Sequence, residues 1–174
     1  MGTKGNMANV LHSIINAKSV GLYTEIHFIP MRVNYKDIED ILELCEIGEI
    51  DKVSILKFVP QGRGKENQSD LQLSIDELRT FCENVDNLRS KYKINIRMGI
   101  PLTNESDHLC TAGCDKFAIR YDGVVLPCVA FKELDKEELA NKLGYRVFTI
   151  QDGLNKLQSR DGINNCALCK KVYG

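Results

Sequence analysis

Along the first hundred residues the apolar positions switch between two spacings. Val10, Leu11, Ile14 and Ile15 recur at helical intervals within residues 7–20, and Gly21 stands where a helix C-terminus favours glycine. Residues 22–29 are rich in β-branched and aromatic side chains and stop at Pro30, which predicts a strand. Asn34 is placed to cap a helix over residues 36–47, in preference to a ligand contact; Ile38, Ile41, Leu42 and Cys45 share its inner face, and Gly48 ends it. A second strand is predicted over 53–59, closed by Pro60 and opening into Gln61, Gly62, Arg63 and Gly64, with a polar stretch to Gln72. Ser74 and Glu77 form a capping box, and the helix they start runs to about Lys91 with Leu78, Phe81, Cys82, Val85 and Leu88 inward. A third strand covers 94–100, before Pro101.

Strands joined through helices pair in parallel, so this part reads as α/β with about three parallel strands. A closed (β/α)₈ barrel takes eight strands and roughly 250 residues. Three strands leave both edges open, as in a partial, TIM-like half barrel cut from a larger one. Beyond Pro101 the pattern changes. Residues 117–121 and 124–128 flank Asp122 and Gly123, a β-hairpin signal that suits a tight primed turn. A short charged helix is predicted over 135–143 and another over about 153–159. Two domains follow, 1–104 and 105–174, the second a small cysteine-rich hairpin-plus-helix unit.

Composition narrows the function. Lys and Arg number 23 against 24 Asp and Glu, a formal charge of −1, which argues against a nucleic-acid-binding module. No apolar run reaches the ~18 residues of a membrane span, and no secretory leader precedes the chain, so a soluble cytoplasmic protein is expected. Seven cysteines are present, and five fall after residue 109: Cys110, Cys114, Cys128, Cys166 and Cys169. In a reducing compartment such clustering points to metal, not disulfides. Cys45 and Cys82, on apolar helix faces, read as core thiols. Cys166 and Cys169 have the Cys-x₂-Cys spacing that turns two sulfurs to one point. The hairpin brings Cys110 and Cys128 near each other, and four thiolates suit either tetrahedral zinc or an iron–sulfur cluster.

The pattern of Cys110, Gly113, a hairpin tipped by Asp122 and Gly123, Pro127 with Cys128, and a distant Cys166 and Cys169 resembles the SPASM/twitch auxiliary-cluster domain of radical S-adenosylmethionine enzymes. Residues 25–31 with Asn34, and residues 56–64, are similar to late strands of that family's partial barrel. The resemblance implies a 4Fe–4S cluster held by Cys110, Cys128, Cys166 and Cys169, with Cys114 as an extra candidate. It implies that Arg63, otherwise a solvated loop arginine, contacts S-adenosylmethionine. It further implies a role in modifying a peptide or small molecule, with the cluster serving electron transfer or structural support. The family's Cys-x₃-Cys-x₂-Cys motif does not occur in these residues: Cys110 and Cys114 begin it, but Phe117 stands third. The motif would lie before residue 1. The chain is therefore expected to be the C-terminal part of such an enzyme, not catalytically competent alone, and to meet either an N-terminal half or another copy through its open sheet edge. The alternative is a zinc-stabilised structural or interaction domain using Cys110, Cys114, Cys166 and Cys169, with Cys128 free.

Overall fold

The computed structural model describes residues 6–100, 116–143 and 147–152. They form two compact units: residues 6–58 with 68–100, and residues 59–67 with 116–143 and 147–152.

The first unit opens with α1 (Asn6–Ser19), followed by β1 (Glu25–Phe28), α2 (Ile38–Ile47), β2 (Lys52–Leu56), α4 (Gln68–Leu71), α5 (Ile75–Leu88) and β3 (Asn95–Gly99). The strands make a parallel sheet in the order β1-β2-β3, with Glu25 opposite Lys52 and Lys52 opposite Asn95. Side chains alternate across a strand, so Ile26, Phe28, Val53, Ile55, Ile96 and Met98 share one face. That face joins Ile38 and Leu42 of α2 and Phe81 and Val85 of α5 in one buried cluster. The Phe28 and Phe81 rings stack at 6.2 Å.

Each strand is shorter than its sequence pattern. Residues 22–24 lie outside β1 because Thr24 is held otherwise: its N–H and hydroxyl donate to the Asp51 carboxylate at 2.7 and 2.9 Å. Lys18 of α1 completes this knot at 3.1 Å from Asp51. Strand β2 stops at Leu56, opposite Gly99 at the end of β3, because a strand ends where its partners do. The Ser74–Glu77 capping box is present, each residue bonding the other's backbone N–H.

Asn34 does not cap α2. A 3₁₀ turn, Tyr35–Asp37, intervenes, and the Asn34 side chain makes no capping bond. Its Oδ1 accepts instead from Met31 N–H at 2.7 Å, and its Nδ2 donates to the Ile29 carbonyl at 3.2 Å. The asparagine closes the loop leaving β1, an Asx-type use of the side chain.

The second unit contains α3 (Arg63–Glu66), β4 (Ala118–Ile119), β5 (Val125–Leu126), a 3₁₀ turn Val129–Phe131, α6 (Lys136–Leu143) and a 3₁₀ turn Ile150–Asp152. Strands β4 and β5 are antiparallel, so the hairpin forms where expected, but its turn differs. Arg120 N–H donates to Val124 O and Gly123 N–H to Arg120 O, both at 2.9 Å, with Gly123 at φ 79°. Asp122 does not take positive φ, so a three-residue loop with glycine in the left-handed region replaces the primed turn. Residues 148–150 bond along the other side of β5, through Val125 N–H to Phe148 O and Ile150 N–H to Gly123 O. Phe131, Leu134 and Leu139 pack with Val124 and Leu126 beneath this small sheet. The helix expected near 153–159 lies outside the described residues.

Candidate metal centre and barrel face

Cys128 follows the fully buried Pro127 at the end of β5. Its backbone is extended (φ −156°, ψ 150°) and it stands immediately before the Val129–Phe131 turn. The half-buried sulfur accepts the Ala130 N–H at 3.5 Å. Phe131 N–H donates to Cys128 O at 3.1 Å, so the cysteine backbone and sulfur are both tied to one turn. A backbone N–H aimed at a cysteine sulfur favours the thiolate that a metal requires, and hydrogen bonds to sulfur are among the features that tune iron–sulfur clusters. The donor chemistry at Cys128 therefore fits a metal ligand. Cys110, Cys114, Cys166 and Cys169 lie outside the described residues. Among the described residues no three His, Cys, Asp or Glu side chains gather to hold a metal.

Two interactions missed by sequence reasoning shape this end of the unit. Arg120, with only 15% of its side chain exposed, grips Asp122 through Nε and Nη2 at 3.0 and 2.8 Å. Its Nη1 donates to the carbonyls of Lys132 and Leu134 at 3.1 and 2.6 Å. The hairpin tip is thereby clamped to the turn that follows Cys128. The paired guanidinium holds the Asp122 carboxyl far below the usual range, at about 2. The other is Gln61, whose Nε2 donates to the Ala130 carbonyl. The spacing of Arg120 and Asp122 in a hairpin could have revealed the first pair; nothing local pointed to the second.

Arg63 opens α3 directly after Gly62, which takes φ 49° and ψ −129°. It is exposed, and its carbonyl accepts from the Asn67 side chain at 2.7 Å. The structure thus puts Arg63 on a surface turn beyond the C-terminal end of β2, the end at which barrel enzymes build their sites. In the first unit, the loop leaving β1 is fastened at the same end of the sheet. Arg32 N–H donates to Leu71 O at 2.9 Å, and its guanidinium donates to the carbonyls of Ser69 and Gln72 at 3.1 Å.

The sheet face turned away from the buried cluster carries Glu25, His27, Lys52, Ser54, Asn95 and Arg97. Parallel sheets packed on both sides have apolar residues on both faces, so this polar face marks one that packs no apolar layer. Ser54 is fully buried and donates its hydroxyl to Glu25, with Lys52 Nζ at 3.3 Å and His27 Nε2 at 3.4 Å from the same carboxylate. The Ser54 bond, then Lys52 and His27, hold the Glu25 carboxyl below the usual carboxylate range. Glu25 and Lys52 begin their strands, the end of a barrel where side chains serve stability, so the cluster reads as a polar plug. Beside β1, whose outer edge has no ladder partner among the described residues, a groove of about 440 Å³ is lined by α1 residues such as Val10 and Ile14 together with Thr24 and Ile26.

Burial pushes the Cys45 and Cys82 thiols up to about 11. Both are buried in the sheet unit's core, as their helix faces predict. No helix among the described residues is long and apolar enough to cross a membrane.

With this geometry in hand, comparison with known proteins gives consistent likenesses. No family model matches the chain. In sequence it is 29% identical over 140 residues to a probable GTP 3',8-cyclase of Methanocaldococcus jannaschii, covering 72% of this chain and 44% of the relative. It is 24% identical over 131 residues to a probable GTP 3',8-cyclase of Sulfolobus acidocaldarius, covering 71% and 42%. In structure it matches Streptococcus suis SuiB bound to S-adenosylmethionine with a TM-score of 0.61 at 17% identity, over 91% of this chain and 38% of SuiB. SuiB bound to its precursor peptide SuiA matches with a TM-score of 0.60 at 17% identity, again over 91% and 38%. These likenesses support a relationship to the radical S-adenosylmethionine enzymes. The fold is shared with SuiB. The chain spans less than half the length of the curated relatives it matches.

Proposed function

We propose that this chain is the C-terminal portion of a radical S-adenosylmethionine enzyme, in which residues 1–104 contribute three strands of a partial barrel and residues 105–174 form a SPASM/twitch-like auxiliary-cluster domain. Supporting this reading is the meeting, over one chain, of a parallel sheet with an open edge and a separate hairpin ending in Cys128, whose sulfur already accepts a backbone N–H. Cys110, Cys128, Cys166 and Cys169 would hold a 4Fe–4S cluster, with Cys114 beside them as a fifth thiol. When bound, the cluster supplies one-electron chemistry or a structural staple. Four cysteine ligands leave no iron open to substrate, which favours those roles over substrate ligation. Arg63, beyond the end of β2, would contact S-adenosylmethionine.

The 174 residues contain no Cys-x₃-Cys-x₂-Cys, so this chain alone is expected not to cleave S-adenosylmethionine. A partner segment carrying that motif would complete the barrel along β1. The substrate class is a peptide, as SuiA is for the SuiB structure, or a small molecule, as the relatives named for GTP suggest.

Anaerobic reconstitution of the chain with iron and sulfide tests the proposal. The broad visible absorption of a 4Fe–4S cluster is expected, lost in Cys128→Ala and in Cys166→Ala/Cys169→Ala, and retained in Cys114→Ala. A colourless protein with stoichiometric zinc that tolerates Cys128→Ala but not Cys114→Ala would establish the zinc-domain alternative.

A further inference from the structure

We propose that Gln61 is a positioning residue for the auxiliary cluster: it fixes the peptide of Ala130, whose N–H bonds the Cys128 sulfur, and thereby raises the cluster's reduction potential. The inference rests on the cluster reading above. Gln61 lies 69 residues from Ala130 in sequence, in the segment 59–67 that belongs to the hairpin unit. Pro60 precedes it and Gly62 follows at φ 49°, so its own backbone is set by a turn that only glycine takes easily. From there its Nε2 donates to the Ala130 carbonyl. Two further anchors define the same turn: Phe131, 1% exposed, and the Phe131 N–H bond to Cys128 O at 3.1 Å.

These anchors hold residue 130 from three sides, leaving its N–H directed at Cys128 Sγ at 3.5 Å. A hydrogen bond of that length to sulfur is weak and depends on direction, so a small rotation of residue 130 loses it. Adding an electron to a cluster makes its sulfurs more negative. An N–H at a sulfur stabilises the reduced form more than the oxidised one, and its loss lowers the potential. Gln61 touches no ligand atom; it acts through Ala130.

The test uses the full chain reconstituted with iron and sulfide, comparing wild type with Gln61→Met, which keeps length but removes the donor, and Gln61→Lys, which restores a donor. Midpoint potentials are read by anaerobic titration, and exchange of the Ala130 amide by hydrogen exchange. Gln61→Met is expected to shift the potential to more negative values and to speed Ala130 exchange several-fold, with Gln61→Lys returning both toward or past wild type. If Gln61→Met fails to hold the cluster, recovery of the cluster in Gln61→Lys supports the inference and failure to recover overturns it. A potential unchanged in Gln61→Met overturns it while leaving the cluster intact as a finding. A wild-type chain that assembles no cluster overturns the reading beneath it instead.

Discussion

Among the described residues, fifteen buried apolar side chains form the core of the sheet unit, whereas five form that of the hairpin unit. The sheet unit closes by burying one face of three strands against α2 and α5, with ion pairs such as Lys18–Asp51 at its margins. Strands β4 and β5 hold two residues each, and the hairpin unit relies on side chains bonded to backbone: Arg120 on Lys132 and Leu134, Gln61 on Ala130, and Asp135 with Glu138 reciprocally at the start of α6. A small core supplies little stability, and units of this kind commonly depend on a metal or another staple. The difference teaches where the proposed metal matters: it should be part of the fold in one unit and irrelevant to the other.

The strongest way to break that comparison is to remove the metal. Chelation of the reconstituted chain is expected to abolish hydrogen-exchange protection in residues 118–134 while residues 25–56 and 75–99 keep theirs, since metal binding and folding are coupled in such sites. Equal loss in both units, or in neither, would show that the division is drawn wrongly. Next, Phe131→Ala should cost about 3–5 kcal/mol, the range for a buried aromatic, and unfold the hairpin unit. Leu42→Ala, costing about 2–5 kcal/mol in the larger core, should lower the denaturation midpoint of the sheet unit without unfolding it at room temperature.

A third change probes the sheet by backbone rather than volume. A Cβ on Gly99 would sit 2.7 Å from the Ile55 carbonyl oxygen of the neighbouring strand. Gly99→Ala should therefore cost about 1–3 kcal/mol, as overpacking does, seen as an earlier urea midpoint for the sheet unit alone. Ser74→Ala removes the cap of α5 and should cost about 1 kcal/mol in the same assay.

The smallest effect is that of pH. Asp122 is depressed to about 2 by Arg120, against roughly 3.9 in an unfolded chain. A folded carboxyl below its unfolded value contributes stability that is complete above about pH 4 and is lost as pH falls through 2. The melting temperature of the hairpin unit should therefore decline over that interval, and Asp122→Asn should flatten the Asp122 part of the decline.

Local signals were the legible ones. The Ser74–Glu77 box could be read because both partners lie within one helical turn. The alternation in 25–28, 52–56 and 95–99 was equally present in the sequence: it separates Ile26 and Phe28 from Glu25 and His27, yet its polar half was passed over as strand filler. Asn34 misled because asparagine serves helix caps and loop closures alike, and only the approach of the Met31 N–H and the Ile29 carbonyl decides between them. Gly123 marked a turn correctly, but the turn type followed from the Arg120–Val124 closure and the bonding of residues 148–150 along β5. Of the candidate ligands, the described residues include Cys128 alone.

The sequence by itself determined the parallel α/β order, the hairpin's place, the two core thiols and the cysteine spacing, because periodicity, caps and turn residues act over a few positions. Tertiary structure decided what no such interval contains. Lys18 and Thr24 meet Asp51, Arg120 meets the carbonyls after Cys128, and Gln61 reaches Ala130. Each of these joins residues apart in the chain, where packing of the intervening elements, not local preference, sets the distance.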